Sequence, residues 1–590
     1  MNKKAKLRAL RDHMQSSGIH AYLVPSSDPH NSEYIPEGWQ RRAYISGFTG
    51  SAGEACVTQS GAALWTDSRY FLQAERELVG SGIRLQKIGI AGTPSLLQWL
   101  AGQLPKGGKV GVNPQVVSRQ RCLELHRELS EIGLQLVLVP SDLIDKVWPN
   151  QPAIPTDALE VHELKYSGES VVSKLKSVRK EMKLRGATSH ILNELDAIAW
   201  LFNLRGHDVE YNPVFVSYAI IRDNTAHLYL DLRKVTPAVR KHLGKHVQLH
   251  RYDAFGDSVK KLAKSRGKVW MHDATATQWM FSLLGKAELI TERSPITLIK
   301  AMKTSKQIKG IAAAHIRDGA AMVKFLSWLD ENIGKIPMSE LSLEVELERA
   351  RSASSLYRGP SFSPIIGYAA NGAVVHYRAV QATSRQVKAR GLMVVDSGGQ
   401  YPDGTTDITR TVCCGAPTRE QKDRFTRVLK GHIAVATTPF PIGTRGPQLE
   451  ALARRPLWMA GLNYLHGTGH GVGHYLCVHE GPASLAPRFP NEVLQPGMLL
   501  SNEPGYYKDG EYGIRIENLV YVAVDKERPG FYKFENVTMC PIDRRLIDVS
   551  LLTAGERRYL NDYHARVRKV LAPKVKGKAL TWLRKMTQAI

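Results

Sequence analysis

The sequence predicts an α/β (α+β) chain made of two repeated α/β domains followed by a mixed helix-and-hairpin domain. Three observations carry this reading. At 590 residues the chain is too long for one ordinary hydrophobic core, so several domains are expected. The pattern of the first 150 residues begins again after them. Near residue 302 the repeat gives way to a long helical run and then to hairpins with Gly-rich turns.

Within the first repeat, AYLVP (21–25), EACVTQ (54–59) and AALWTD (62–67) read as strands, and LLQWLAGQL (96–104) reads as a helix. The stretch WPNQPAIPTDA (148–158), rich in Pro and Asp, is the candidate linker. Beyond it, RGATSHILNELDAIAWLFNLRG (185–206) and TAHLYLDLRKV (225–235) echo the first set. The apolar strand that ends in Asp-x-Arg is the more telling echo, at Asp67/Arg69 and again at Asp231/Arg233. A diverged internal duplication explains it; chance likeness of two strand ends is the alternative. SKQIKGIAAAHIRDGAAMVKFLSWLDENI has apolar residues at helical spacing and should form one long helix or two. The expected domains are therefore 1–150, 151–301 and 302–590, with a C-terminal extension from about residue 530.

Composition narrows the classes. The chain is 43% hydrophobic and 23% charged, and no apolar run approaches the roughly 18 residues of a membrane span, so no membrane partner is expected. The start, MNKKAKLRALRDHMQ, reads as an amphipathic helix rather than a signal peptide. Six cysteines without a CxxC pair suit a reducing, cytoplasmic setting. A net charge of +25 fits either a solvated basic surface or contact with a polyanion. Residues 565–590 carry eight Lys or Arg and no acid, but elsewhere the basic residues are interspersed with acids. With no zinc-finger, helix-turn-helix or RNP-like pattern, no nucleic-acid partner is expected.

Chemistry concentrates in the last domain. In VVDSGGQYPDGTTDITRTV (394–412), two strand-like runs flank the turn Pro402-Asp403-Gly404. Folding there can bring Asp396 near Asp407, and paired carboxylates are costly without a cation or a shared proton. In LLSNEPGYYKDGEYGIRIENLVYV (499–522), Glu503 ends one apolar run and Glu517 interrupts another, with Lys508-Asp509-Gly510 as the turn. HGTGHGVGHYLCVHEGP (466–482) adds His466, His470, His474 and His479; its glycines argue against a helix and allow close backbone approach. Four carboxylates and one imidazole form a hard, oxygen-rich set that suits two divalent cations, and such a pair points to hydrolysis.

These residues together resemble the pita-bread metallopeptidases, the family of methionine aminopeptidase, prolidase and aminopeptidase P. The likeness is strongest to the long, three-domain aminopeptidases P. It spans nearly the whole chain through SEYIPEGWQRRAYISGFTGSAG, WTDSRYFLQA, DAIAWLFNLRGHDVEYNPVFVSYAII, DGTTDITRT, HGTGHGVG, VHEGP, NEPGYY and GIRIEN. The resemblance implies two creatinase-type α/β domains and a C-terminal pita-bread catalytic domain. It implies that Asp396 chelates one metal, that His470 and Glu503 bind the other, and that Asp407 and Glu517 bridge both. The ions would be manganese, with zinc or cobalt as alternatives, sharing a hydroxide that attacks the N-terminal Xaa-Pro bond. By the same likeness His376 holds substrate, His479 stabilises the oxyanion, His466 lines the site, Arg515 buttresses the carboxylates and Arg69 reaches the substrate. Glu503 would also carry the proton. Expected partners are peptides with proline in second position and a second copy of the chain in a homodimer. A prolidase-like dipeptidase and an inactive binding module are the competing readings. Three details depart from the family pattern: His474, whose ring is expected to point outward, Cys413-Cys414, expected as small core residues, and the strongly basic C-terminal tail.

Overall fold

The computed structural model describes residues 2–487 and 492–590. The chain forms two compact units, one of residues 1–163 and 169–297, the other of residues 164–168 and 298–590.

The first unit holds two six-stranded sheets of the same topology. In the first the order is Arg84–Lys87, Ala62–Thr66, Glu54–Thr58, Ala21–Pro25, Lys109–Val112 and Gln135–Leu138. In the second it is Val247–Arg251, Ala226–Leu230, Ser217–Arg222, Ala187–Leu192, Lys268–Trp270 and Leu289–Ile290. Each sheet has two central antiparallel pairings and parallel pairings on its flanks. The echo therefore reaches from sequence to strand order. The Asp-x-Arg ends also match: Arg69 folds back on Asp67 at 2.8 Å, and Arg233 on Asp231 at 2.5 Å. The two halves meet through corresponding helices, where N-cap Ser118 bridges N-cap Thr277 and the Arg119 guanidinium donates to Gln278 Oε1 at 2.8 Å.

The second unit opens with one helix, Ser305–Asn332. Thr304 and Gln307 start it as a reciprocal capping box, which satisfies backbone donors that the first turn leaves open. Its buried stripe runs through Ile311, Ala314, Met322, Phe325 and Leu329. Asp318 lies on that stripe too, tolerated because Arg351 donates to it at 2.7 Å and Tyr401 at 2.9 Å. The unit's strands form a three-stranded sheet (Ile365–Tyr368, Leu392–Ser397, Ile408–Cys413) and a four-stranded sheet (Phe440–Pro441, Phe531–Asn536, Asn518–Val524, Leu499–Asn502). The helices Arg419–Thr437 and Ala554–Leu571 share a core with Ile514, Ile516 and Ile542. Cys413 and Cys414 are each 2% exposed, small apolar fillers as expected.

Candidate metal centre

The site grows from one device used twice. Leu392–Ser397 pairs antiparallel with Ile408–Cys413, and Asp396 stands opposite Thr409. Beyond this ladder Gln400–Tyr401 and Gly404–Thr405 close the hairpin at Pro402-Asp403, which leaves Asp407 at the step between the two ladders. The second copy pairs Leu499–Asn502 with Asn518–Val524, Asn502 opposite Asn518, and then Gly505–Lys508 with Tyr512–Arg515. Glu503 and Glu517 occupy its step.

The histidine segment is not helical. Gly469-His470 forms a short strand against Ser484-Leu485. Its glycines are required by contact: a Cβ on Gly469 would lie 2.0 Å from Ser501 O, and one on Gly471 would lie 2.0 Å from Glu480 O. This close approach seats His470 against the second hairpin, where its N–H donates to Ser501 Oγ at 2.9 Å. Its Nε2 is 3.5 Å from both Asp407 Oδ2 and Glu503 Oε1. Among the described residues, Asp407, His470 and Glu517 offer ligand atoms that all lie within 4.8 Å of one another.

Charge in this cluster is unbalanced. Burial raises the Asp396 pKa to about 6; Arg515 opposes the rise and Asp407 adds to it. Burial likewise raises Glu503, and raises Glu517 well above the carboxylate range with the help of Asp407 and Glu503. Burial works against a charged His470, yet the bond to Asp407 and the field of Glu503 push its pKa up to about 9. Asp396 Oδ1 and Glu517 Oε1 are buried with no hydrogen-bond partner. Buried carboxylate oxygens without donors, facing like charges, are the environment that cations relieve. Oxygen donors with one imidazole fit hard divalent ions.

Arg515, two residues before Glu517, donates to Asp396 Oδ2 at 2.5 Å, to Tyr507 Oη at 2.6 Å and to Thr409 Oγ1 at 3.2 Å. Tyr507 Oη in turn shares a hydrogen bond with His466 Nε2 at 2.9 Å, so His466 joins the site through Tyr507. His479 packs edge-on against His470 with ring centroids 4.3 Å apart. His376 is half-buried beside Val375, whose carbonyl accepts from Arg515 at 3.4 Å. Arg69 lies in the first unit, paired with Asp67. His474 differs from expectation: it is 3% exposed, because Val472 and Leu476 on either side are both at 0% and the glycine-rich segment runs through packed interior.

Sequence reasoning missed the residues that hold these carboxylates in place. Thr409 Oγ1 donates to Glu517 Oε2 at 2.8 Å and Ser501 Oγ to Glu503 Oε1 at 3.1 Å. Thr409, like Tyr507, stands inside a family motif, so spacing from the neighbouring carboxylate was the available signal. Glu480, after His479, is 4% exposed and bonded by Lys300 at 2.7 Å and by Lys303. Nothing local announces lysines so far back in the chain.

Residues 309–523 match the model of metallopeptidase family M24, and residues 530–590 that of the C-terminal region of peptidase M24. Residues 6–146 and 150–307 match two models of the creatinase/prolidase N-terminal domain. A probable Xaa-Pro aminopeptidase P of Ajellomyces dermatitidis is 41% identical over 610 residues, which cover 99% of both chains. The chain belongs to metallopeptidase family M24. This M24 chain is also 41% identical to a probable Xaa-Pro aminopeptidase P of Laccaria bicolor, over 99% of its own length and 93% of the relative's. Among solved structures it is similar to an X-prolyl aminopeptidase from Caenorhabditis elegans, described as a cytosolic enzyme with a di-nuclear active site. The TM-score is 0.96 at 33% identity, with all of both chains covered. The M24 region accordingly has the pita-bread fold, preceded by creatinase-type α/β domains.

Proposed function

We propose that the two hairpin steps and the glycine-bound histidine form a two-metal peptidase centre that removes the N-terminal residue from peptides with proline in second position. The observation that carries this is the convergence of Asp407, His470 and Glu517 within 4.8 Å, with Glu503 at 3.5 Å from the imidazole. The chain is a metal-dependent Xaa-Pro aminopeptidase, the activity named for its full-length relatives. The prolidase reading is weaker. An Xaa-Pro dipeptidase from Bacillus anthracis covers 63% of this chain, at 25% identity and a TM-score of 0.53.

In this reading Asp396, Asp407, His470, Glu503 and Glu517 would hold two divalent ions. Bound there, such ions lower the pKa of water and polarise the scissile carbonyl. Glu503 accepts the proton of the attacking water and delivers it to the proline nitrogen as the bond breaks. That nitrogen belongs to a tertiary amide with no N–H, so no substrate donor has to be satisfied there. His479 donates to the developing oxyanion, His376 holds the substrate, and Arg515 with Tyr507 and His466 fixes Asp396 from behind. Arg69 as a substrate contact, manganese as the native metal, a homodimer, a cytoplasmic setting and division into domains 1–150, 151–301 and 302–590 are parts of the same proposal.

The test is hydrolysis by chelated enzyme restored with manganese, cobalt or zinc in turn. Arg-Pro-Pro should be cleaved after arginine and Gly-Pro far more slowly. Preference for Gly-Pro would make the enzyme a dipeptidase, and no metal-dependent cleavage of either would end the peptidase reading.

A further inference from the structure

Glu340 is fully buried, at 0% exposure, as the first residue of the helix Glu340–Ser352. A carboxylate in such a place is costly unless its oxygens are saturated with donors. The segment that carries His376 supplies them. Oε1 accepts the Tyr368 N–H at 2.7 Å, and Oε2 accepts the Arg385 N–H at 2.8 Å and the Tyr377 hydroxyl at 2.8 Å. The Asn371 amide donates to both oxygens, at 3.1 and 3.0 Å. It also reaches Thr383 O at 3.0 Å, tying the segment to itself. The start of the helix adds a favourable dipole for the negative charge.

One carboxylate thus gathers the entry to the segment (Tyr368), its exit (Arg385) and the residue next to His376 (Tyr377). Every donor is neutral, so the charge is held by geometry, which a fixed arrangement of N–H and O–H groups supplies. The far side of the same segment is reached by Arg515 at Val375 O. His376 sits between the two anchors, with Val375 on one side of it and Tyr377 on the other.

We propose that Glu340 is a positioning residue for the reaction, a clamp on residues 368–385 that sets where His376 meets the peptide. The inference rests on the reading of His376 as a substrate-holding group. Glu340→Gln keeps the shape but turns one acceptor into a donor facing N–H and O–H groups. Tyr377→Phe removes a single donor and is the gentler variant should Glu340→Gln fail to fold.

The experiment is hydrogen exchange of the full-length, metal-loaded enzyme, with steady-state kinetics of each variant alone and combined with His376→Ala. Amides within 368–385 should lose about tenfold protection in Glu340→Gln, as for one buried donor left unsatisfied, and less in Tyr377→Phe, while exchange elsewhere holds. The value of kcat/KM should fall, mainly through KM, and the fall should shrink to within about twofold once His376 is already replaced by Ala. Unchanged exchange in 368–385, or an equal fall with and without His376, overturns the clamp. If His376→Ala alone leaves kinetics untouched, the substrate role of His376 fails, and the exchange result still decides whether Glu340 clamps the segment.

Discussion

Arg515 is 2% exposed and holds Asp396, Tyr507 and Thr409 at once. A lysine offers one point charge where a planar fork is needed. Arg515→Lys and Arg515→Met should therefore both lower kcat/KM, Met by at least about 10²-fold, because a buried charge then stands unpaired. Equal activity of the Met variant, with metal content unchanged, would remove Arg515 from the site. Glu344 makes a second test at this scale. Burial raises its pKa to about 7, against the pull of Arg378 and with help from Glu340, and its Oε1 is buried without a hydrogen-bond partner. The raised value means that the folded protein favours the protonated form. Its contribution to stability is complete below the ordinary carboxylate pKa and is lost as pH rises through about 7. Glu344→Gln should then gain in Tm over the parent chain more at pH 8 than at pH 5. A constant difference across that range would refute the shift.

Elements explain what could and could not be read from the sequence. Both hairpins were legible because Pro402-Asp403-Gly404 and Lys508-Asp509-Gly510 announce turns, and acids stand where apolar runs break. The long helix was legible from periodicity, whereas the capping box of Thr304 and Gln307 at its start shows only in the folded chain. The repeat was legible from Asp67/Arg69 and Asp231/Arg233, though the shared strand order emerges only in the folded sheets. His474 was misjudged because the glycines around it leave the direction of its ring open, and only the folded chain shows buried Val472 and Leu476 on either side. The Lys300–Glu480–Lys303 cluster, with all three side chains at most 4% exposed, was invisible because its members meet only in the folded chain. The glycines also carry a prediction. Gly471→Ala places a Cβ 2.0 Å from Glu480 O and forces apart the strand behind His470 and the turn behind His479. Activity should fall more than tenfold, with a lowered Tm, as expected for overpacking worth about 1–3 kcal/mol. Calorimetry and peptide assays that match the parent chain would show the segment to be pliant.

At the scale of the molecule, metal and stability should be coupled. Ions that bind the folded chain alone raise its unfolding free energy by mass action, by about 2.7 kcal/mol at a hundredfold excess over Kd. Chelation should lower Tm and manganese should restore it; a Tm indifferent to both would mean that the acidic cluster holds nothing. The thiols, spread across both units, have a practical consequence. Cys56, Cys122, Cys413, Cys414 and Cys540 are buried, and burial pushes each of them up and away from the reactive thiolate. Cys477 is the partly accessible one, and its carbonyl accepts the Gly473 N–H at 3.0 Å, in the bend between His470 and His479. An alkylating dye should therefore attach there first without any engineered substitution, giving a native fluorescent reporter between His470 and His479.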